Sequence, residues 1–566
     1  MKKKIIPALI AIVLIIIVIA AAGGATLIEH YSYSKERRDL NEYYKLKEPG
    51  QVAIVLQNKV IDTKARLIEG TYYLDFDSVA AILNDRFYVD DHEGFLIYTT
   101  ANQIIQNPIG TGTYYISGED VTVDYPITVM QGDTLYIALD FVKKYTNFSY
   151  EAFTDPDRIV MRTEWGQKKT ATVKKNNWVR YQGGVKSDIL RDIKQGEEVT
   201  IMEELEDWDK VITDDGIIGY IEKKRISTPT EVTEVPVTDY TEAEYTRIKK
   251  DYTINMAWHS IYTEAGNDTF DEMVNGTGTM SIISPTWISL SDNDGNFRSF
   301  ANAAYVEKAH SRNMEVWMMV DNFNIEGIST YETMSYTSKR ERLISGLINE
   351  ATTYGIDGIN LDFEGVPAEA VPHYVEFIRE LSVACRRLGI VLSVDNYPPQ
   401  GGSNYNLAEQ GVCVDYVIIM GYDEHWGNGG IAGSVASIGF VQQGIQLVLN
   451  EGVPADKIIN AVPFYTRVWK TNGSTVTSDA LGMDAAANFI KEYNIETTWD
   501  ADACQNYGEK EMNGTLYQVW LEDAQSIETK LNVMKTFGVA GVAEWQLGQE
   551  NKAIWDIFDV YVRSAK

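Results

Sequence analysis

The clearest alternation of apolar and polar residues lies in residues 354–365, Tyr-Gly-Ile-Asp-Gly-Ile-Asn-Leu-Asp-Phe-Glu-Gly. Ile359, Leu361 and Phe363 alternate with Asn360, Asp362 and Glu364, so a strand would place three polar groups on one face and three apolar ones on the other. A buried parallel strand is normally apolar on both faces. Carboxylates stacked on one face are costly to bury without partners, which points to a site. Asp362 and Glu364 are neighbours on that face, close enough for each to shift the other's proton affinity. A solvated strand end is the plainer reading of an isolated Asp-x-Glu pair; the tight Gly-Ile-Asp-Gly turn before it favours a site.

From about 250 onward, short apolar segments alternate with amphipathic ones. Strands are predicted at 254–260, 279–284, 315–321, 358–363, 391–396, 416–422, 458–463 and 541–545. Helices are predicted at 301–312, 338–354, 370–388, 435–450 and 524–537. Eight strands in this span predict a (β/α)₈ TIM barrel over 246–566, whose site would sit at the C-terminal strand ends, where Asp362 and Glu364 fall. The alternative, a doubly wound open sheet, lacks a glycine-rich loop after its first strand.

The N-terminal half is patterned differently. Lys2, Lys3 and Lys4 precede an uncharged apolar run over 5–22, which is just long enough to span a bilayer. The positive flank predicts a cytoplasmic N-terminus, with a single membrane anchor and an extracellular remainder. A cleavable signal peptide is the alternative, offered by Ala20, Ala21 and Ala22. Residues 23–50, polar and tyrosine-rich, read as a partly helical juxtamembrane stalk. Within 51–165 a weak repeat links Tyr73-Leu-Asp-Phe-Asp77 with Tyr136-Ile-Ala-Leu-Asp140, predicting a small α+β module. Residues 168–228 alternate with tight turns, as a small β-barrel does. Residues 229–245, rich in Thr, Pro, Val and Glu, read as a linker.

Charge and composition narrow the function. The 566 residues carry 50 Lys and Arg against 81 Asp and Glu, a formal charge of −31. That excess disfavours nucleic-acid binding. Three cysteines and six histidines show no metal-type spacing, so neither metal nor cofactor is expected.

Three resemblances follow. Asp357-Gly-Ile-Asn-Leu-Asp-Phe-Glu364 resembles the Asp-Gly-x-Asp-x-Asp-x-Glu signature of glycoside hydrolase family 18. Met420-Gly-Tyr-Asp423, Pro463-Phe-Tyr-Thr-Arg-Val-Trp469 and Trp545 resemble, in order, that family's segments on strands six, seven and eight, with an insertion at about 470–521. Residues 51–165 resemble the copper-amine-oxidase-N-terminal-like module, although His92 is the module's one histidine and no copper is implied. Residues 168–228 resemble a bacterial SH3-like domain, which implies contact with the cell wall; Trp178, Trp208 and Tyr220 read equally well as core.

The family resemblance implies roles. Glu364 would be the acid and later the base, Asp362 would hold the substrate's acetamido group, and Tyr422 would hydrogen-bond the acetamido oxygen. Asn360, Asp423 and Arg467 would bind sugar, and Trp545 would floor the pocket. The implied partner is a polysaccharide, peptidoglycan or a chitin-like glycan, with Trp258, Trp287, Trp317 and Trp426 as candidate groove aromatics. A non-catalytic carbohydrate-binding or structural envelope protein on the same barrel is the alternative; relatives of that kind usually lack the acid. Asn360 departs from the signature's middle aspartate. It is expected to donate to Asp362 and hold it more firmly as an anion.

Overall fold

The computed structural model describes residues 10–19, 32–238, 240–399 and 405–564. The chain divides into two compact units: residues 1–87, 107–114 and 121–242 form one, and residues 88–106, 115–120 and 243–566 the other.

In the second unit eight parallel strands close into a barrel. They are β1 (Ile254–His259), β2 (Ile282–Pro285), β3 (Glu315–Asp321), β4 (Gly358–Asp362), β5 (Val391–Asn396), β6 (Tyr416–Ile419), β7 (Ile458–Pro463) and β8 (Gly541–Trp545). β8 pairs with both β1 and β7, and the register Ile282↔Glu315 between β2 and β3 completes the ring. All eight predicted strands form. The five predicted helices form within a few residues of their expected bounds, as Ala303–Ser311, Thr337–Tyr354, Val371–Leu388, Ile438–Asn450 and Ala524–Phe537.

Alternation decides which side chains enter the barrel. Ile359 and Leu361 on β4 and Phe363 just after it point outward, where Phe363 stacks on Tyr374 of the helix Val371–Leu388 at 5.1 Å. That helix offers Tyr374, Phe377, Ile378, Leu381 and Cys385, one apolar stripe at helical spacing, all nearly inaccessible to solvent. Phe377, Ile378 and Leu381 each contribute about 1.5–3 kcal/mol of burial. Gly358, Asn360 and Asp362 therefore face inward. Gly358 has no side chain for a simple reason: a Cβ there would lie 2.6 Å from the Trp317 indole.

Between β7 and β8 the insertion is a five-stranded antiparallel sheet with one helix, Met483–Glu492. Its first strand, Tyr465–Asn472, starts earlier than expected and carries Tyr465 and Arg467 directly off the end of β7. The sheet's base is fastened by Glu522. This buried carboxylate accepts from Lys530 Nζ at 2.9 and 3.0 Å, Gln505 Nε2 at 2.7 Å and Ser526 Oγ at 2.8 Å. Its backbone N–H donates to Thr466 Oγ1 at 2.8 Å, beside Arg467.

The first unit holds two seven-stranded sheets. In one, the two copies of the repeat pair with each other, Tyr73 opposite Ala138, and each leads into a short helix. The other is wholly antiparallel, and its Trp178, Trp208 and Tyr220 are all partly buried.

Three expectations are corrected here. Residues 32–50 are not a free stalk: Tyr44 is fully buried and donates to the Gly216 carbonyl at 3.0 Å. The expected linker contributes a strand, Thr230–Thr233, paired with Gln167–Thr172. The single N-terminal anchor is overturned as well. Among the described residues no helix is long and apolar enough to cross a membrane. The described helix of the apolar run covers only residues 10–19, about 15 Å at the α-helical rise; the rest of that run lies outside the described residues.

Lys530→Met should destabilise the second unit by about 3–5 kcal/mol, because it strands a buried carboxylate. Urea denaturation checks this, with Lys530→Met/Glu522→Leu expected to be milder; an unchanged midpoint for the single variant would remove Glu522 as the insertion's fastener.

Candidate active site

The inward-facing polar groups of β3, β4 and β5 meet at the C-terminal end of the barrel. Asp362 on β4 stands opposite Asp321 on β3, and Asn360 opposite Ser393 on β5. Asp321 is fully satisfied, accepting from Ser289 Oγ, Asn324 Nδ2 and the backbone N–H groups of Phe323 and Asn324. Asp362 is not. It is 4% exposed, and its Oδ1 has no hydrogen-bond partner. Burial pushes its proton affinity well up, helped by Asp395, Glu364 and Asp321.

Glu364 lies just past the end of β4, where strand pairing has ceased. Asn322 continues the ladder with its side chain: Oδ1 accepts from the Glu364 N–H at 2.9 Å, and Nδ2 donates to the Glu364 carbonyl at 2.9 Å. The carboxylate is thereby fixed at the mouth. Partial burial raises its pKa first, and Asp423 and Asp321 add to that. Tyr397 donates its phenol proton to Oε2 and opposes the rise.

Tyr422, partly buried after β6, faces the same space. Burial first, then Asp362, Tyr465 and Asp395, keep its phenol protonated and so a hydrogen-bond donor. Asp423 beside it is exposed and has a left-handed backbone, φ 58°. It accepts from Tyr465 Oη at 2.5 Å and lies 3.9 Å from Arg467 Nη2. Arg467 donates to Ser478 Oγ at 3.2 Å, while its buried Nε has no partner. Trp545 lies edge-on to Trp258 at 5.8 Å, partly exposed.

The structure thus brings Asp362, Glu364, Tyr422, Asp423, Arg467 and Trp545 to one end of the barrel. Asn360 is different. It is fully buried, and its amide is engaged by protein on both sides. Oδ1 accepts from Trp258 Nε1 at 2.9 Å and Ser284 Oγ at 3.2 Å; Nδ2 donates to Ser393 Oγ at 3.1 Å and Asp395 Oδ1 at 2.7 Å. It makes no hydrogen bond to Asp362, whose proton affinity is raised first by burial rather than lowered by an amide donor. Both N–H groups of the Asn360 amide are taken by β5, at Ser393 and Asp395, so none is left for Asp362.

Three of the expected groove aromatics are also core: Trp258, Trp287 and Trp317 are each at most 1% exposed, whereas Trp426 is 56% exposed. Sequence reasoning passed over Asp395, Asn322, Tyr397 and Tyr465. Asp395 had a signal, since Ser393 and Asp395 alternate with Leu392 and Val394 just as the β4 polar groups do. Among the described residues no group of His, Cys, Asp and Glu is arranged to hold a metal ion.

Comparison with known proteins places this site in a family. The uncharacterized glycosylase YvbX of Bacillus subtilis (strain 168) is 25% identical over 311 residues, 52% of this chain and 88% of that protein. The cortical fragment-lytic enzyme of Bacillus anthracis is 26% identical over 269 residues, 45% of this chain and 62% of that protein. A crystal structure of the C-terminal domain of a protein described as a chitinase, from Desulfitobacterium hafniense DCB-2, superposes with a TM-score of 0.51. It covers 56% of this chain and 99% of that domain at 19% identity, a likeness of fold. Residues 217–550, more than half of the chain, match the family described as "Glycosyl hydrolases family 18". The chain therefore belongs to glycosyl hydrolases family 18 and is a glycoside hydrolase.

Proposed function

We propose that this glycoside hydrolase cleaves β-1,4 bonds next to N-acetylglucosamine in peptidoglycan, with retention, using the substrate's own acetamido group as nucleophile. The observation that carries the reading is the convergence of Glu364, whose proton affinity burial raises, a buried Asp362 and a donor phenol, Tyr422, on one space at the barrel mouth.

Each group has a chemical task in that scheme. Glu364 gives its proton to the glycosidic oxygen as the bond to C1 breaks. The acetamido carbonyl oxygen attacks C1 from the other face and forms an oxazolinium ion. Asp362, as an anion, accepts the acetamido N–H and stabilises the positive charge from a buried position. Tyr422 donates to the acetamido oxygen and orients it. The Glu364 carboxylate then takes a proton from the water that reopens the ring at C1, restoring the acid. Asp423 and Arg467 would hold sugar hydroxyls, and the apolar face of Trp545 would pack against the ring.

Substrate class rests on two supports. The similarity to a cortical fragment-lytic enzyme favours peptidoglycan. Tyr262, Phe323 and Trp426 are exposed aromatics on the loops after β1, β3 and β6, and give a polymeric glycan several rings to stack on.

The test uses the full chain with peptidoglycan, chitin oligomers and N-glycans in parallel, measuring released reducing ends. Glu364→Gln should lower kcat on peptidoglycan at least about 100-fold while binding persists. Equal behaviour of wild type and variant on all three would replace the enzyme reading with a carbohydrate-binding barrel; release from chitin alone would move the substrate there.

A second expectation concerns pH. Tyr397 stabilises the ionised form of Glu364 and holds its pKa down. Tyr397→Phe should let that pKa rise, so the acid form survives to higher pH and the basic limb of the kcat/KM profile moves upward. A limb that stays still or moves down would separate Tyr397 from the acid.

A further inference from the structure

Asp395 has no place in the scheme above, yet it lies among the groups that do. It is 1% exposed on β5. Its Oδ1 accepts from Asn360 Nδ2 at 2.7 Å, and its Oδ2 has no partner. Asp362 Oδ1, on the adjacent strand, also has none. Two buried carboxyls on neighbouring strands each present one unpaired oxygen, and Asn360 beneath them is committed to Asp395.

We propose that Asp395 is the proton-holding partner of Asp362: the two carboxyls keep one proton between them, and Asn360 orients Asp395 to carry it while Asp362 faces the substrate as an anion. Asp395 is thus a positioning residue acting through Asp362. The inference rests on the substrate-assisted reading for its functional meaning, but not for its proton count.

Several features support the pair. Like charges in a buried site resist joint ionisation, so a proton is retained by one of them. Burial raises the proton affinity of each carboxyl; the Asn360 donor offsets part of this at Asp395, and no neighbouring charge lowers it at either. Asp321 faces the pair from β3, Glu364 from the end of β4 and Tyr422 from beyond β6. Tyr374 approaches from the helix Val371–Leu388, and Tyr397 and Tyr405 from the segment after β5. None of these is a cation. Asn360 donates to Oδ1 of Asp395, leaving Oδ2 as the oxygen able to carry the proton.

The proton balance closes without an outside donor. Glu364 supplies the one proton that leaves with the departing sugar hydroxyl. When the bond from the acetamido oxygen to C1 forms, the positive charge appears beside Asp362. The shared proton lies on Asp395 at that moment, so Asp362 carries the full negative charge. When water reopens the ring, Glu364 recovers its proton from that water, and the pair again holds one.

Two measurements on the full chain test the pair. The first needs no turnover: infrared difference spectra at pH 7 compare Glu364→Gln with Glu364→Gln/Asp395→Asn. One carboxylic-acid carbonyl band present in the former should be lost from the latter, and a band that survives refutes the shared proton. The second exchanges the two side chains. Asn360→Asp should lower kcat/KM roughly tenfold by adding a third carboxyl against Asp395, and Asp395→Asn placed on top should bring it back to within about threefold of wild type. A double variant as slow as Asn360→Asp, or slower, overturns the assignment. If the wild type hydrolyses no glycan, the proposed activity fails while the infrared result still decides the pair.

Discussion

Burying several carboxylates at one end of a barrel, without a cation among them, is the constraint around which this site is organised. Asp321, Asp362 and Asp395 are almost inaccessible to solvent, and Glu364 is partly so. Leaving isolated anions in such surroundings costs several kcal/mol each, so the groups must be hydrogen-bonded or keep protons. Asp321 takes the first course with four donors. Burial presses Asp362, Asp395 and Glu364 toward the second, each with fewer donors than Asp321. Acid catalysis needs a carboxyl whose proton affinity is raised toward neutral pH, and crowding moves Glu364 in that direction without any special residue.

The barrel makes the crowding possible. Every strand runs in the same direction, so inward side chains from neighbouring strands meet in layers, and the last layer opens on the loops. Outward side chains are occupied with apolar packing against helices, as Phe363 is against Tyr374. The site can therefore be polar without loosening the core. Asn322 shows how the scaffold reaches past its own strands: a side-chain amide reproduces the missing backbone pairing and holds Glu364 where β4 has ended.

Much of this was legible in the residues. The strands declared themselves by alternation, the helices by their apolar stripes, and Asp362 and Glu364 by standing on the polar side of β4. Neighbour relations between strands were not legible, because a single sequence gives the face of a side chain but not its partner across the ladder. Asn360 was therefore paired with Asp362, two positions along, when its partner is Asp395, thirty-five residues away. The tryptophans failed for a related reason. Trp258 and Trp317 fall on inward faces deep in the barrel, and Trp287 hydrogen-bonds Asn267 from a fully buried position, so aromatic character alone did not separate core from groove. The expected linker hid a strand because Thr230–Thr233 borrows its order from a neighbour and has no burial pattern of its own.

Asn360 is the residue whose chemistry most constrains the rest. Its oxygen receives two donors, the Trp258 indole and the Ser284 hydroxyl, while its nitrogen meets the Asp395 carboxylate. Turning the amide over would set N–H against N–H on one side and oxygen against carboxylate on the other, so the orientation follows from the partners. An aspartate could satisfy the indole and the serine, but it would meet Asp395 oxygen to oxygen, a contact that holds only with a further proton. Asparagine on β4 and aspartate on β5 therefore belong together, as one acid and one amide shared between two strands. In that arrangement the departure from the family's signature changes where the buried carboxyl stands, and leaves the site its supply of buried acid.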